Sequence, residues 1–385
     1  MFARRTAWNL QQNRLSQALA AHRAAGKPLL DLTISNPTEC GFTYEVETIL
    51  RALQNPASLK YEPNPRGLEV ARAAVAQYYA QRGAKIPLEN IFLTTSTSEA
   101  YSFTCCTFCD PGDEVLIPSP GYPLFDFLAD IHDVRLVRYP LVYDFGWQID
   151  FHAVEHAITP RTRAVIVVNP NNPTGNYCKA QEMLRLNEIC AAREIAIIAD
   201  EVFLDFSITH EPRASFAENA DSMTFTLSGI SKVCGLPQMK VAWLIVNGPA
   251  ALKSQAAERL EVIADTYLSL NAPVQWALPV LLETRKAFQQ QLLSRVRANL
   301  AELDKQLAAQ SLCRRLQVEG GWNAVIQVPA AGSDEELALQ LLQSAGVYAH
   351  PGHFYDFPSN GHFVVSLIVP AQSFSKGIAA LLSAR

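Results

Sequence analysis

The run Ala164-Val165-Ile166-Val167-Val168-Asn169-Pro170-Asn171-Asn172-Pro173-Thr174-Gly175 sets the frame for the whole chain. Five consecutive apolar residues with no polar alternation read as a strand buried on both faces, and the Pro-bounded loop behind it carries amide side chains on a stiff backbone. A helical pattern over Lys179–Arg193 follows, then a second apolar run, Ile195–Ala199, ending at Asp200. Strand, loop, helix, strand is the unit of an α/β fold with a parallel sheet. Working outward, Ile91–Thr94, Glu114–Ile117, Met223–Leu227 and Val241–Val246 have the same character, and helical segments such as Tyr101–Cys109 lie between them. The expectation is a mostly parallel mixed sheet covered by helices on both faces.

The rest of the chain reads differently. Pro249 to Gln310 is long and helical, followed by β-like Trp322–Val328, a helix over Glu335–Ala345, β-like His362–Val369 and a last helix. That pattern predicts a smaller α+β domain made of residues 1–41 and 271–385, beside a large domain over 42–270. A length of 385 residues suits more than one domain. Trp8, Leu15 and Leu19 recur at helical spacing, so the Arg-rich start reads as a structural first helix and not as a targeting peptide.

Composition narrows the function. Lys+Arg 32 against Asp+Glu 37 gives a net charge of -5, which argues against nucleic-acid partners. No apolar run reaches the ~18 residues of a membrane span. Eight cysteines are too few and too scattered for a disulfide scaffold. The cluster Cys105, Cys106 and Cys109 has no second pair at zinc-site spacing, so these read as core thiols in a cytoplasmic protein.

In open parallel sheets ligands bind beyond the carboxyl ends of the strands. There the sequence places Thr95-Ser96-Thr97-Ser98-Glu99-Ala100, Pro118-Ser119-Pro120-Gly121-Tyr122, the Asn169–Gly175 loop, Asp200, and Ser228-Gly229-Ile230-Ser231-Lys232. Singly, these are an N-cap, turns, a capping carboxylate and a solvated lysine. Together they supply a phosphate cradle at a helix N-terminus, a stacking ring, a buried carboxylate and an amine. That set suits pyridoxal 5'-phosphate, with the carboxylate keeping the pyridine nitrogen protonated and the lysine forming the Schiff base.

On these residues the sequence resembles the class I/II aminotransferases of the fold-type-I pyridoxal-phosphate enzymes (aspartate aminotransferase-like). Further matches are Tyr61-Glu62-Pro63-Asn64-Pro65-Arg66-Gly67, Asp110-Pro111-Gly112-Asp113, Ala199-Asp200-Glu201-Val202 and His350-Pro351-Gly352. The resemblance implies transfer of an amino group from an amino acid or amine to a 2-oxo acid. It makes Lys232 the Schiff-base lysine and proton shuttle, Asp200 the pyridinium partner, Asn172 a donor to the cofactor's O3′ and Tyr122 the stacked ring. Backbone N–H groups of Thr97 and Ser98, with hydroxyls around them including that of Ser96, would hold the phosphate. Tyr61 matches a tyrosine that reaches the neighbouring subunit's cofactor, which implies a homodimer with shared sites.

The chain departs from the family pattern at four places. Phe203 stands where a tyrosine donating to O3′ is common. Lys240 replaces an arginine that grips the phosphate, keeping the charge and losing the planar fork. Gly229 replaces a phosphate-binding serine, with Ser228 and Ser231 expected to compensate. Val364 replaces the arginine that holds the substrate's α-carboxylate, two residues before Ser366. The sequence candidates to take its place are His353, His362 and Trp322, and the expected donor is an unusual one, apolar, aromatic or a plain amine.

Two competing readings remain in the sequence. The same lysine and aspartate serve a C–S β-lyase, and the missing arginine at Val364 admits a protein that binds the cofactor without turnover. His152-Ala153-Val154-Glu155-His156 fits a zinc-peptidase pattern letter by letter, but its flanks describe a connecting helix with Phe151, Val154 and Ile158 turned inward.

Overall fold

The computed structural model describes residues 1–209, 213–268, 270–329 and 332–383. Its main sheet has eight strands in the order Ile91–Thr94, Ala242–Asn247, Thr224–Gly229, Ala196–Asp200, Thr162–Val168, Glu114–Ser119, Arg135–Tyr143 and Trp147–Ile149. The central run from Thr224–Gly229 to Arg135–Tyr143 is parallel. Ala242–Asn247 is antiparallel to both neighbours, and Trp147–Ile149 closes the far edge antiparallel.

The apolar runs are continuous because both faces are covered. Val165, Val167, Ile197 and Ala199 enter a core with Leu186 and Cys190 of the helix Ala180–Arg193. Ala164, Ile166, Val168, Ala196 and Ile198 enter the opposite core, with Phe103 and Leu260 from the helices Thr97–Phe108 and Ala250–Tyr267. The sequence reading missed the two strands at the far edge. In Arg135–Tyr143 the exposed Arg138 and Val142 alternate with the buried Tyr139 and Leu141, an alternation that the strands buried on both faces lack.

The long helical segment is two helices. Leu268 takes φ +69 and ends Ala250–Tyr267, and Asn271 then caps Ala272–Ala308 by accepting the Val274 N–H at 3.3 Å. Ala272–Ala308 serves two cores. Val274, Leu278 and Leu281 pack with Val75, Tyr79 and Trp243, whereas Phe288, Leu292, Val296 and Leu303 pack under the second layer. That layer is a four-stranded sheet in the order Arg314–Arg315, Asn323–Gln327, His362–Ser366, His350–Pro351, backed by the helices Asp334–Ala345 and Ala371–Ser383.

The N-terminal segment joins this second layer. Leu15 and Leu32 lie in its core, and Leu30–Asp31 pairs in parallel with Val347–Tyr348. Trp8 is not on the first helix, Arg14–Ala24, as its spacing suggested. It lies ahead of it, and its indole N–H donates to Asp130 at 2.7 Å. Nor are Cys105, Cys106 and Cys109 core thiols: Cys106 is exposed and its neighbours are half-buried, because the helix is ending there. Among the described residues no helix is long and apolar enough to cross a membrane.

Candidate active site

A cavity of about 310 Å³ opens where the carboxyl ends of the parallel strands face the second layer. From the large sheet come Thr97, Tyr122, Asn172, Asp200, Val202, Phe203, Ser231 and Lys232; from the other side come Trp322, Asn323, His350, Val364 and Ser366. The sheet topology explains the convergence, since every parallel strand delivers its following turn to the same edge.

Asp200 ends its strand buried, with its carboxylate held from two sides. The Val202 N–H donates to Oδ1 at 3.1 Å and the Tyr101 hydroxyl to Oδ2 at 3.0 Å. Burial raises its pKa, and the Val202 and Tyr101 donors with the Lys232 charge pull the other way. Lys232 sits in the one-turn helix Ile230–Val233 directly after Thr224–Gly229. Burial lowers the pKa of its amine, opposed by Asp200, and no hydrogen-bond partner for Nζ occurs among the described residues. A carboxylate fixed by two donors and an amine without a hydrogen-bond partner, biased to its neutral form, thus share one cavity.

The helix Thr97–Phe108 points its N-terminus into the same space. Ser96 caps it by accepting the Glu99 N–H at 3.1 Å, and Glu99 accepts the Thr95 N–H at 2.6 Å. The Thr97 and Ser98 N–H groups precede the first helical acceptor, which leaves them for an anion. Asn172 holds its side chain through Oδ1, which accepts from Asn323 Nδ2 at 2.8 Å. That leaves the Asn172 amide N–H₂ as donor.

Thr97, Tyr122, Asn172, Asp200 and Lys232 from the sequence reading therefore meet at one cavity, and Ser96, Ser98, Ser228, Lys240 and Tyr61 do not line it. The Ser228 hydroxyl is turned to the Glu201 carbonyl at 3.3 Å. Lys240 is exposed on a left-handed turn, φ +54, and Tyr61 is 77% exposed on a different surface. Gly229 has a packing reason of its own: a Cβ there would stand 2.9 Å from Ala242 Cβ and 3.0 Å from the Val241 carbonyl oxygen.

Of the three candidates to replace an arginine at Val364, the structure brings only Trp322 to the cavity. His362 is buried elsewhere, stacked on Phe357, and its Nδ1 lies 3.0 Å from the Ser359 carbonyl oxygen. His353 lies outside the lining, on its own edge of the second layer. Sequence reasoning assigned no role to Tyr101 or to the pair His350–Tyr355, whose Nδ1 and hydroxyl are 3.0 Å apart. Tyr101 had a signal, one helical turn after Thr97 and therefore on the same face. His350 was visible only as part of a motif. Burial lowers its pKa, opposed by Asp31.

The zinc-peptidase pattern dissolves in three dimensions. Its residues form the short helix Phe151–Ala157 with Val154 buried, and Glu155 is paired with Arg185. No group of three or more potential ligands is assembled among the described residues.

The sequence profile of the family described as aminotransferase class I and II matches residues 27–372. Glutamate-pyruvate aminotransferase AlaA of Escherichia coli (strain K12) is 30% identical over 259 residues, covering 67% of this chain and 64% of that protein. The matched stretch thus spans just under two thirds of that relative's length. The protein of the same name from Haemophilus influenzae is 26% identical over 367 residues, covering 92% of this chain and 90% of its own. Among solved structures, an alanine aminotransferase from Pyrococcus furiosus has a TM-score of 0.87 at 22% identity, covering 99% of this chain and 98% of its own. A double mutant of Thermus thermophilus aspartate aminotransferase has a TM-score of 0.87 at 21% identity, with full coverage of both chains (100%). These two likenesses establish the fold, an α/β sheet domain of fold type I with a smaller α+β layer.

Proposed function

This chain belongs to the class I and II aminotransferases, and on that premise we propose that it moves an amino group from a small-molecule amino donor to a 2-oxo acid. The observation that carries the proposal is the pairing, in one cavity, of buried Asp200 with the unpartnered amine of Lys232. The family works with pyridoxal 5'-phosphate, and the donor set fits it: an amine free to bond, a carboxylate for a ring nitrogen, and open N–H groups at a helix N-terminus for a phosphate. When bound, that cofactor supplies an electron-withdrawing ring that weakens the bond between the donor's Cα and its proton.

The chain's own residues do the rest. Lys232 Nζ takes the proton from the donor's Cα and returns it during transfer, and burial lowers the amine's pKa toward the neutral form that accepts one. Asp200 would hold a proton on the ring nitrogen through its carboxylate, which Tyr101 and Val202 keep aimed by their hydrogen bonds, both favouring its charged form. The Asn172 amide would donate to the ring oxygen, Tyr122 would pack on the ring, and the Thr97 and Ser98 N–H groups would hold the phosphate. Ser231 lines the cavity near Lys232, whereas Ser96 and Ser228 act through the turns they brace. Lys240 offers a point charge on the phosphate side. Val202, Phe203 and Phe125 exclude water.

The same reading makes the protein a homodimer in the cytoplasm, with Tyr61 reaching the partner's cofactor. Its support is the exposed run Leu59 and Tyr61, at 91% and 77%, which a second copy would cover. It also takes 42–270 as one domain and 1–41 with 271–385 as the other, joined along Ala272–Ala308, whose two halves serve different cores. The named relatives are all aminotransferases, which favours transfer over β-elimination. The test is a half-reaction with single amino donors, read by cofactor absorbance. Conversion of the cofactor to its amine form is expected; keto acid released without that conversion indicates elimination, and no change with any donor defeats the proposal.

A further inference from the structure

The wall facing Lys232 is built without a cation. Among the described residues lining the cavity there is no arginine, and the charged groups are Asp200 and Lys232. Val364 and Val365 of the strand His362–Ser366 line it, as do Val168 and Val202. His350 is buried and biased to its neutral form, and its Nδ1 is taken up by Tyr355.

Trp322 is the exception on this wall. It is 2% exposed, lines the cavity, and its indole N–H has no hydrogen-bond partner among the described residues. The ring is fixed edge-on to Phe203 at 4.8 Å and tilted against Phe206 at 5.4 Å, and Lys232 Nζ lies 5.7 Å from its centroid. The N–H is not among the buried polar atoms left without a partner, so this rigid donor is open to the cavity beside the amine, where a ligand's acceptor can meet it. The Asn172–Asn323 amide pair and the Ser366 hydroxyl add only neutral groups around it.

We propose that the preferred amino donor is a small primary amine whose neighbouring carbon carries a neutral acceptor, a carboxamide or a hydroxyl, read by the Trp322 indole N–H. This deepens the aminotransferase reading and rests on it. A carboxylate at Trp322 would be desolvated in a cavity that also holds the Asp200 carboxylate, with no arginine in the lining to pair with it. A neutral acceptor meets the indole N–H without that cost. The cavity, about 310 Å³, is at the lower end of the ~300–1,000 Å³ range of small-molecule sites and takes the cofactor as well, so the donor's body must be small.

The test titrates the holoenzyme with three ligands of one size: L-alanine, L-alaninamide and L-2-aminopropanol. Binding is read by calorimetry and conversion by cofactor absorbance. The amide or the alcohol is expected to bind about tenfold more tightly than alanine. Trp322→Phe keeps an aromatic ring in place and removes the N–H, so it should erase that preference, weakening the amide or the alcohol about tenfold relative to alanine, with the melting temperature in place. Alanine binding as tightly as both neutral ligands, or none of the three binding, overturns the proposal, as does an undiminished preference in Trp322→Phe. Tight neutral binding without cofactor conversion defeats the aminotransferase reading and the donor role with it, while the neutral-ligand preference at Trp322 survives. Tight alanine binding with conversion overturns that preference and upholds the aminotransferase reading.

Discussion

Glu201, the residue after Asp200, is the buried group whose titration the structure ties most directly to the site's scaffold. It is 1% exposed. Its Oε1 accepts the Phe216 N–H at 2.7 Å and Asn169 Nδ2 at 3.3 Å, and Oε2 accepts from the Ser215 hydroxyl at 2.6 Å. It thereby ties the start of the Asn169–Gly175 loop to the Ser215–Ala217 turn. Burial raises its pKa from 4.5 to about 7, with the Ser215, Phe216 and Asn169 donors opposing. The folded state therefore holds this proton more tightly than the unfolded chain does. The resulting stabilisation is complete below pH 4.5 and is lost as pH rises through about 7. At about 1.4 kcal/mol per tenfold in proton affinity, the whole span is worth about 3 kcal/mol. Glu201→Gln removes the charge and keeps an acceptor for Phe216 and Asn169. Its amide N–H₂ then meets Ser215 Oγ, which already accepts the Ala217 N–H at 3.1 Å and has a second acceptor site. Urea unfolding at fixed protein concentration and saturating cofactor, repeated from pH 4.5 to 8, gives the stability of both proteins. The variant's advantage should grow by roughly 1–3 kcal/mol between the two ends of that range. A difference that stays flat, or that falls with rising pH, refutes the argument that the carboxylate is buried at a cost.

Other outcomes test the site itself. Lys232→Ala should lose nearly all turnover and any cofactor adduct that borohydride can fix to the protein; mass spectrometry finding such an adduct in the variant would misplace the lysine. Asp200→Asn turns an amide N–H₂ toward either the Tyr101 hydroxyl or the Val202 N–H and leaves the ring nitrogen without its anion. Its half-reaction should slow at least ~100-fold, about 3 kcal/mol in barrier, and near-normal rates would rule the role out. Tyr61→Phe should weaken cofactor retention in equilibrium dialysis with the fold intact, whereas a fully active monomer by light scattering would end the shared-site proposal.

The sequence by itself determined the sheet and its chemistry-bearing edge. Val165 and Val167 face one core and Ile166 and Val168 the other, so an unbroken apolar run already states that the strand is central. Such periodicity is local, and so are the turns that place Thr97, Tyr122, Asn172, Asp200 and Lys232 after their strands. The half-exposed strand Arg135–Tyr143 gave a weaker pattern and escaped. What only the tertiary structure decided is everything contributed across the cavity. His353, His362 and Trp322 were equal candidates along the chain, and the packing of Asn323–Gln327 beside His362–Ser366 brings Trp322 to Lys232 and sends His362 against Phe357. Tyr101 became an Asp200 partner because helix Thr97–Phe108 packs on the sheet with that face inward. A side chain's period can be read within one segment, but which other segment it meets is set by how two layers close on each other.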